Sequence, residues 1–143
     1  MNVVFFTDRD LGLQFPQILR DAGLSVERHR DYFQPDCPDD VWLKEVAAKG
    51  WVALTHDARI RYKPNELAAV VHHKATLLVV VGKATNAALA QNFVNTLPLV
   101  WAFLAVHKPP CIGKIYGPRP GGLRLNPTMI GRIDLWYPKP ISS

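Results

Sequence analysis

Short apolar runs alternate with amphipathic segments over the first two-thirds of the chain. Four compact runs favour β-strands, and they cover residues 2–7, 24–28, 51–55 and 76–81. The segments between them place apolar residues every three or four positions, which is typical of helices that bury one face. These helices are predicted from Pro16 to Gly23, from Pro38 to Gly50, from Pro64 to about His72, and from Asn86 to about His107 with a bend at Pro98.

This strand–helix–strand order determines the predicted architecture. Right-handed crossovers between successive strands give a mostly parallel central sheet with helices on both faces, which is a three-layer α/β/α fold. The first and third strands should be neighbours at its centre. In such sheets the reactive site lies beyond the carboxyl ends of the strands, where the strand order reverses.

The C-terminal part of the chain has a different composition. Seven of the twelve prolines follow residue 108, and the segment 117–122 is a strong turn signal between apolar runs at 112–116 and 123–125. We therefore predict a C-terminal hairpin followed by an extended tail, 126–143, on the surface or on a neighbouring molecule. Residues 1–116 form the predicted main domain, and residues 117–143 supply the return strand and a proline-rich tail packed on it.

Composition narrows the class of protein. A chain of 143 residues that is 48% hydrophobic suits one globular domain. The longest near-apolar run, 76–81, is much shorter than a membrane span, and the first residues do not resemble a signal peptide. Cys37 and Cys111 are far apart in sequence and belong to no CxxC pair, which favours a reducing, cytoplasmic setting over a disulfide scaffold or a zinc ribbon.

Charge is distributed unevenly along the sequence. Residues 1–66 hold eleven acids and nine bases, whereas residues 67–143 hold eight bases and the single acid Asp134. An acidic cluster within an otherwise basic chain fits a cation site beside a surface that attracts a polyanion. A solvated basic face that only aids solubility is the alternative interpretation.

Acidic residues occur where two predicted strands end and where one helix begins. Asp8 follows the first strand, Asp57 follows the third, and Asp39 and Asp40 open the helix between them. All of these positions fall on one edge of the predicted sheet. Carboxylates held close together repel one another unless a cation or protons neutralise them, and oxygen ligands of this kind suit Mg²⁺ or Mn²⁺.

Individually, these residues have simpler explanations. Asp39 alone could be an ordinary helix N-cap, and Asp57 could be a plain loop acid. Four basic residues flank the same edge, where they could hold RNA phosphates or merely pair with surplus acids. They are Arg9, Arg59, Arg61 and Lys63.

Three segments together resemble the PIN-like domains of VapC-type ribonuclease toxins. They are Phe5–Gly12, Pro38–Leu43 and Gly50–Arg61, and the resemblance covers about residues 3–116. It implies a Mg²⁺- or Mn²⁺-dependent endoribonuclease that acts as the toxin of a type II toxin–antitoxin system. Its expected partners are an RNA substrate and a cognate antitoxin protein, and homodimerisation is a further expectation from the family.

The resemblance also implies roles for individual residues. Asp8, Asp39 and Asp57 occupy the positions of the metal-binding acids, and Asp40 lies next to one of them, where it could share or replace the role of Asp39. Asp10 stands where relatives commonly carry a small polar residue, and it is a candidate to contact the metal-binding acids without holding the metal itself. Larger PIN domains have a further acid after the fourth strand, but residues 82–85 contain none.

Other readings of the same acids are weaker. Asp8-Arg9-Asp10 matches the DxD of haloacid-dehalogenase-type phosphatases, but only Asp134 could supply that family's late acidic pair. Receiver domains need a hydroxyl residue at the end of the fourth strand, where this chain has Val81-Gly82-Lys83. A non-catalytic metal-binding or interaction module of the same fold remains the non-enzymatic alternative.

Overall fold

A single six-stranded sheet forms the centre of the protein, which is described by a computed structural model over residues 2–57, 64–118 and 129–139. In chain order the strands are β1 (Val4–Thr7), β2 (Ser25–Arg28), β3 (Val52–Asp57), β4 (Thr76–Val81), β5 (Cys111–Tyr116) and β6 (Arg132–Tyr137). The spatial order is β2-β1-β3-β4-β5-β6. All neighbouring strands are parallel except β5 and β6.

Helices cover both faces of this sheet, as the sequence pattern predicts. They are α1 (Gln14–Asp21), α2 (Asp39–Ala48), α3 (Pro64–His73), α4 (Asn86–Asn95) and α5 (Leu97–Val106). Buried residues of α1, α4 and α5 form one core with Phe5, Leu54 and Leu78 of the sheet. Buried residues of α2 and α3 form a second core with Phe6, Ala53 and Leu77. Because adjacent strand residues point to opposite faces, strands such as β1, β3 and β4 contribute to both cores, and the three-layer α/β/α architecture is confirmed.

The strand order reverses next to β1. β2 pairs with one side of β1 and β3 pairs with the other, so the predicted contact between the first and third strands is confirmed. The next chain segments leave β1 and β3 in opposite directions across the sheet. Their carboxyl ends therefore border the crevice in which parallel α/β sheets place their reactive groups.

The long helix expected from Asn86 to His107 is two helices. α4 ends before Thr96 and α5 begins at Leu97, with an angle of 66° between them. Pro98 lies in the first turn of α5, where its missing N–H leaves no intrahelical bond unmade. No single helix of the described chain is long and apolar enough to cross a membrane, and α4 with α5 reaches that length and composition only as a bent pair.

The return strand of the C-terminal hairpin lies later than predicted. β6 pairs antiparallel with β5 and comprises Arg132–Tyr137, whereas the predicted strand 123–125 lies outside the described residues. Part of the tail expected on the surface therefore belongs to the sheet as its edge strand. Trp136 and Tyr137 pack against the core under α2 and α3, and the Lys114 Nζ lies 4.6 Å from the centre of the Trp136 ring.

Candidate functional site

Asp8 is fixed at the carboxyl end of β1 by main-chain hydrogen bonds. Its N–H donates to the Leu54 carbonyl of β3 at 2.9 Å, so the residue is held between the two central strands. One carboxylate oxygen accepts a hydrogen bond from the Arg9 N–H at 2.7 Å and caps the short turn at residues 9–11. Burial raises the pKa of Asp8, although the hydrogen bonds oppose that rise, and the charge of Asp39 raises it further.

Asp8 shares a hydroxyl group with a second acid, Asp10. The Thr55 hydroxyl of β3 lies 2.9 Å from an Asp8 carboxylate oxygen and 3.0 Å from an Asp10 carboxylate oxygen. The His56 N–H also donates to Asp10, at 3.2 Å from each oxygen. Thr55 is only 3% exposed, whereas Asp8 is half-buried and Asp10 is exposed, so a buried hydroxyl joins two carboxylates that water can reach.

The shared hydroxyl has a consequence for the charge of this pair. A hydroxyl has one hydrogen and can donate it to only one of the two carboxylates. Burial, followed by repulsion from Asp8, raises the pKa of Asp10 to about 6. The pair therefore retains a proton under mildly acidic conditions, and both groups bear negative charge only near neutral pH.

Asp39 and Asp40 are adjacent in sequence, but the structure gives them different partners. Asp39 is the first residue of α2 rather than its N-cap, which is Pro38, and its carboxylate accepts a hydrogen bond from the Trp42 indole N–H at 2.9 Å. The Asp40 carboxylate instead lies 2.9 Å from the His73 Nε2 of α3, and its side chain is 68% exposed. Because the charge of Asp39 acts on Asp8, we use the name carboxylate cluster for Asp8, Asp10 and Asp39, whereas Asp40 bridges α2 and α3.

Asp57 ends β3, two residues beyond Thr55. Its main chain is paired in register with Val81 of β4, which places it at the same edge of the sheet as Asp8. The described residues do not include its side chain. Three of the predicted RNA-binding residues, Arg59, Arg61 and Lys63, also lie outside the described part of the chain.

Arg9, the fourth predicted RNA-binding residue, has partners within the protein. Its guanidinium donates to the His29 Nδ1 at 3.0 Å and to the Phe33 carbonyl at 2.8 Å. These bonds direct Arg9 toward the turn after β2 instead of leaving it free for a phosphate. His29 is itself 3% exposed, and burial lowers its pKa, although the nearby charge of Asp8 opposes that change.

The end of β4 contributes a carbonyl where larger PIN domains have an acid. The His56 Nε2 lies 2.8 Å from the Gly82 carbonyl oxygen, which ties the ends of β3 and β4 together. Gly82 has a φ of +137°, a conformation that favours glycine. The backbone geometry here therefore depends on a residue without a side chain.

The carboxylate cluster fits a hard divalent cation by its chemistry. Its donors are carboxylate and hydroxyl oxygens, and no salt bridge from Lys, Arg or His reaches Asp8 or Asp10 within residues 2–57, 64–118 and 129–139. Over those same ranges, no three Asp, Glu, His or Cys side chains are grouped closely enough to hold a metal ion. The unneutralised pair of acids is thus suited to Mg²⁺ or Mn²⁺ but needs further ligands.

Sequence reasoning did not assign Asp10 to the metal-binding set. The spacing of the two acids was the available signal for this residue, because Asp8 and Asp10 lie two positions apart directly after a buried strand. The tight turn at residues 9–11 reverses the chain and brings the second carboxylate back over β3. Strand alternation alone cannot predict this, because the two acids lie beyond the end of β1.

We expect the Asp10→Asn substitution to stabilise the metal-free protein at neutral pH. Because the pKa of Asp10 is higher in the folded state, about 6 against an ordinary 3.8, folding favours its protonated form, and stability falls as the pH rises between those values. Asparagine removes this repulsion and should raise the free energy of unfolding at pH 7 by about 1 kcal/mol, a value reduced for partial solvent access. Urea unfolding in a chelator at pH 4, 5, 6 and 7 measures the effect.

A matched variant makes this measurement specific. Asp21→Asn removes an exposed carboxylate from the last residue of α1, away from the cluster, and should not give this gain in stability. A wild-type free energy of unfolding that stays level or rises between pH 4 and 6, with no gain from Asp10→Asn, would show that the two carboxylates do not repel each other as described.

Comparison with known proteins gives two matches. The sequence profile described as "PIN like domain" matches residues 3–82, which include β1 through β4 and the whole carboxylate cluster. A protein of Mycobacterium tuberculosis named "Putative ribonuclease VapC45" is 35% identical to this chain over 80 residues, covering 52% of this chain and 58% of the relative. The chain thus matches little more than half the length of that relative. No solved structure matches significantly.

Proposed function

We propose that this chain, which belongs to the PIN-like domain family, is a metal-dependent endoribonuclease. The observation that carries the proposal is the meeting of Asp8 and Asp10 at the Thr55 hydroxyl, at the point where the strand order reverses. Acids so close together, with no salt bridge from the residues that the structure describes, lower the stability of the fold, and a catalytic role explains their presence. The similarity to a protein named as a ribonuclease supports the same reaction class.

Asp8, Asp39 and Asp57 are the residues proposed to hold Mg²⁺ or Mn²⁺. When bound, such an ion lowers the pKa of a water molecule and stabilises charge on a phosphate under attack. Asp39 is preferred to Asp40 because its charge acts on Asp8, whereas Asp40 is engaged by His73. Asp40 is left with an assisting role at the edge of the site.

The remaining residues of the site orient these acids. The Thr55 hydroxyl and the Arg9 N–H hold the two oxygens of Asp8, and the His56 N–H holds Asp10. The Trp42 indole fixes the carboxylate of Asp39. One carboxylate of the cluster would accept the proton that the attacking water loses, which is general base catalysis on an RNA phosphodiester.

The biological setting proposed for this nuclease is a type II toxin–antitoxin system of the cytoplasm. The antitoxin partner would block the site, and an inserted Arg or Lys side chain would neutralise the carboxylates by charge-assisted hydrogen bonds. Arg59, Arg61 and Lys63 are proposed to contact the RNA backbone, and a homodimer is the proposed assembly. These partners follow from the family relationship and the acidic site together.

RNA cleavage by the purified protein tests the proposal. We expect cleavage of a single-stranded RNA with Mg²⁺ or Mn²⁺ and none in a chelator, with activity restored when metal is added back. Asp57→Asn should abolish cleavage while leaving the unfolding transition in place. Hydrolysis of p-nitrophenyl phosphate in preference to RNA would favour a DxD phosphatase. Metal binding by calorimetry without turnover of either substrate would favour a non-catalytic module.

A further inference from the structure

A cavity of about 580 Å³ opens at the end of the sheet opposite the carboxylate cluster. Its walls include Trp51 before β3, Val52 at the start of β3, and Trp101 and Leu104 of α5. β3 runs from this cavity to Asp57, a length of about 16 Å at 3.3 Å per residue. The cavity is therefore separate from the proposed nuclease site, and its volume falls in the range of small-molecule sites.

Trp101 lies on the wall of this cavity and is 40% exposed. Its position on an apolar helix predicts a core residue, and Phe93 and Phe103 of the same predicted helix are indeed buried. The exposure of Trp101 shows that the folded chain leaves this indole uncovered at the cavity. The Trp101 ring lies 5.6 Å from the buried Phe5 ring, and its exposed part offers aromatic surface to a ligand.

Lysines supply positive charge at the same cavity. Lys74 and Lys108 both line it, whereas none of its lining residues is Asp or Glu. Neither lysine forms a salt bridge with any residue that the structure describes. The cavity thus combines apolar and aromatic walls with uncompensated cationic groups.

Lys74 has a left-handed backbone conformation beside this cavity. Lys74 follows α3 with a φ of +57°, a left-handed conformation that glycine adopts at much lower cost. The equivalent position after α2 is Gly50, with a φ of +72°, and it lines the same cavity. Lysine therefore occupies here, beside the cavity, a backbone conformation that glycine adopts more readily.

We propose that this cavity binds a small planar aromatic carboxylate. Its ring packs against the exposed part of the Trp101 indole, and its carboxylate pairs with Lys74 and Lys108. The aromatic walls select the flat apolar part, and the two cations select the negative charge. The site is independent of the proposed nuclease activity, since it shares no residue with the carboxylate cluster.

Titration of the ¹⁵N-labelled protein with 1-naphthoate tests this proposal. The chain has four tryptophans, and we expect the indole N–H signals of Trp51 and Trp101 to shift saturably while those of Trp42 and Trp136 stay in place. Trp51→Phe and Trp101→Phe assign the signals. The neutral isostere 1-naphthamide should bind about tenfold more weakly, because it lacks the charge that the lysines recognise.

Lys74→Gly separates the proposed role of the side chain from the stability of the fold. Glycine suits the left-handed backbone, so the variant should unfold at the same or a higher urea concentration while its affinity for 1-naphthoate falls about tenfold. Lys108→Gln should weaken binding similarly. Lys83→Gln, at the opposite end of β4, should not alter it.

Four outcomes would overturn the proposal. They are no change at Trp51 and Trp101, equal binding of naphthoate and naphthamide, tighter binding of AMP than of naphthoate, and shifts of these two indoles with protein concentration alone. The third would mean that the cavity is a phosphate site, and the fourth that a second copy of the chain covers it.

Discussion

Asp8→Asn is expected to reduce RNA cleavage about 10³-fold or more while the protein remains folded. The substitution keeps the shape of the side chain and its hydrogen bonds to Arg9 and Thr55, but it removes a negative charge at the centre of the cluster. A metal ligand or a group that stabilises charge in the transition state has effects of this size. Initial cleavage rates at saturating Mg²⁺ or Mn²⁺ measure the loss, and urea unfolding checks that the variant is folded.

Asp40→Asn and Asp39→Asn are the matched controls for this result. Asp40 is exposed and paired with His73, so replacing its carboxylate with the amide of asparagine should change the cleavage rate by no more than about twofold. Asp39→Asn should lose activity almost as severely as Asp8→Asn. If Asp40→Asn were inactive and Asp39→Asn active, the assignment of the helix-start ligand would be reversed, whereas full activity in Asp8→Asn would remove the basis of the nuclease proposal.

Periodicity was sufficient to predict the architecture and one edge of the site. Asp8 and Asp57 stand at the ends of β1 and β3. These two strands are parallel neighbours, because strand–helix–strand units have one handedness. Parallel neighbours end at the same edge of a sheet, so periodicity predicts this edge for two acids 49 positions apart in sequence, and the strand pairing confirms the edge. The helix positions followed from the same reasoning.

The details of the site depended on features that periodicity does not encode. Consecutive helical residues point about 100° apart, so which of Asp39 and Asp40 faces Asp8 is decided by how α2 rests on the sheet. That placement is set by Trp42, whose 1% exposed ring packs beneath the helix while its indole N–H holds Asp39. The position of β6 was predicted wrongly for a related reason. A segment rich in Gly and Pro separates β5 from β6, and periodicity does not determine which residues beyond that segment pair with β5.

Each end of the sheet contains a feature that lowers the stability of the fold. At the carboxyl ends, burial raises the pKa of Asp8 and Asp10, which opposes folding with both groups ionised. At the amino ends, Lys74 holds a backbone conformation that glycine would adopt more easily. Both departures from local preference coincide with places where we propose a ligand, which is where such departures are expected.

The aromatic core beneath the site supplies stability, and Phe6 lies at its centre, with five aromatic or imidazole rings around it. Its ring is fully buried and lies 5.5 Å from the Trp42 ring, 6.0 Å from Phe33 and 6.1 Å from Trp51. Phe6→Ala should lower the free energy of unfolding by about 4 kcal/mol, because it removes a large apolar group and leaves a cavity among rigid rings. This is a large share of the roughly 5–15 kcal/mol that stabilises a typical domain.

Urea unfolding of a graded series tests this prediction. Phe6→Leu should cost about 1–2 kcal/mol, since leucine fills part of the space, and Leu13→Ala, at a side chain that is 53% exposed, should cost less than about 0.5 kcal/mol. The effect should also reach the site, because Phe6 lies two residues before Asp8 and packs against the Trp42 that holds Asp39. A Phe6→Ala variant that loses less than about 1 kcal/mol would show that the second core is not built around this ring, and the positioning of Asp39 through Trp42 would then need another explanation.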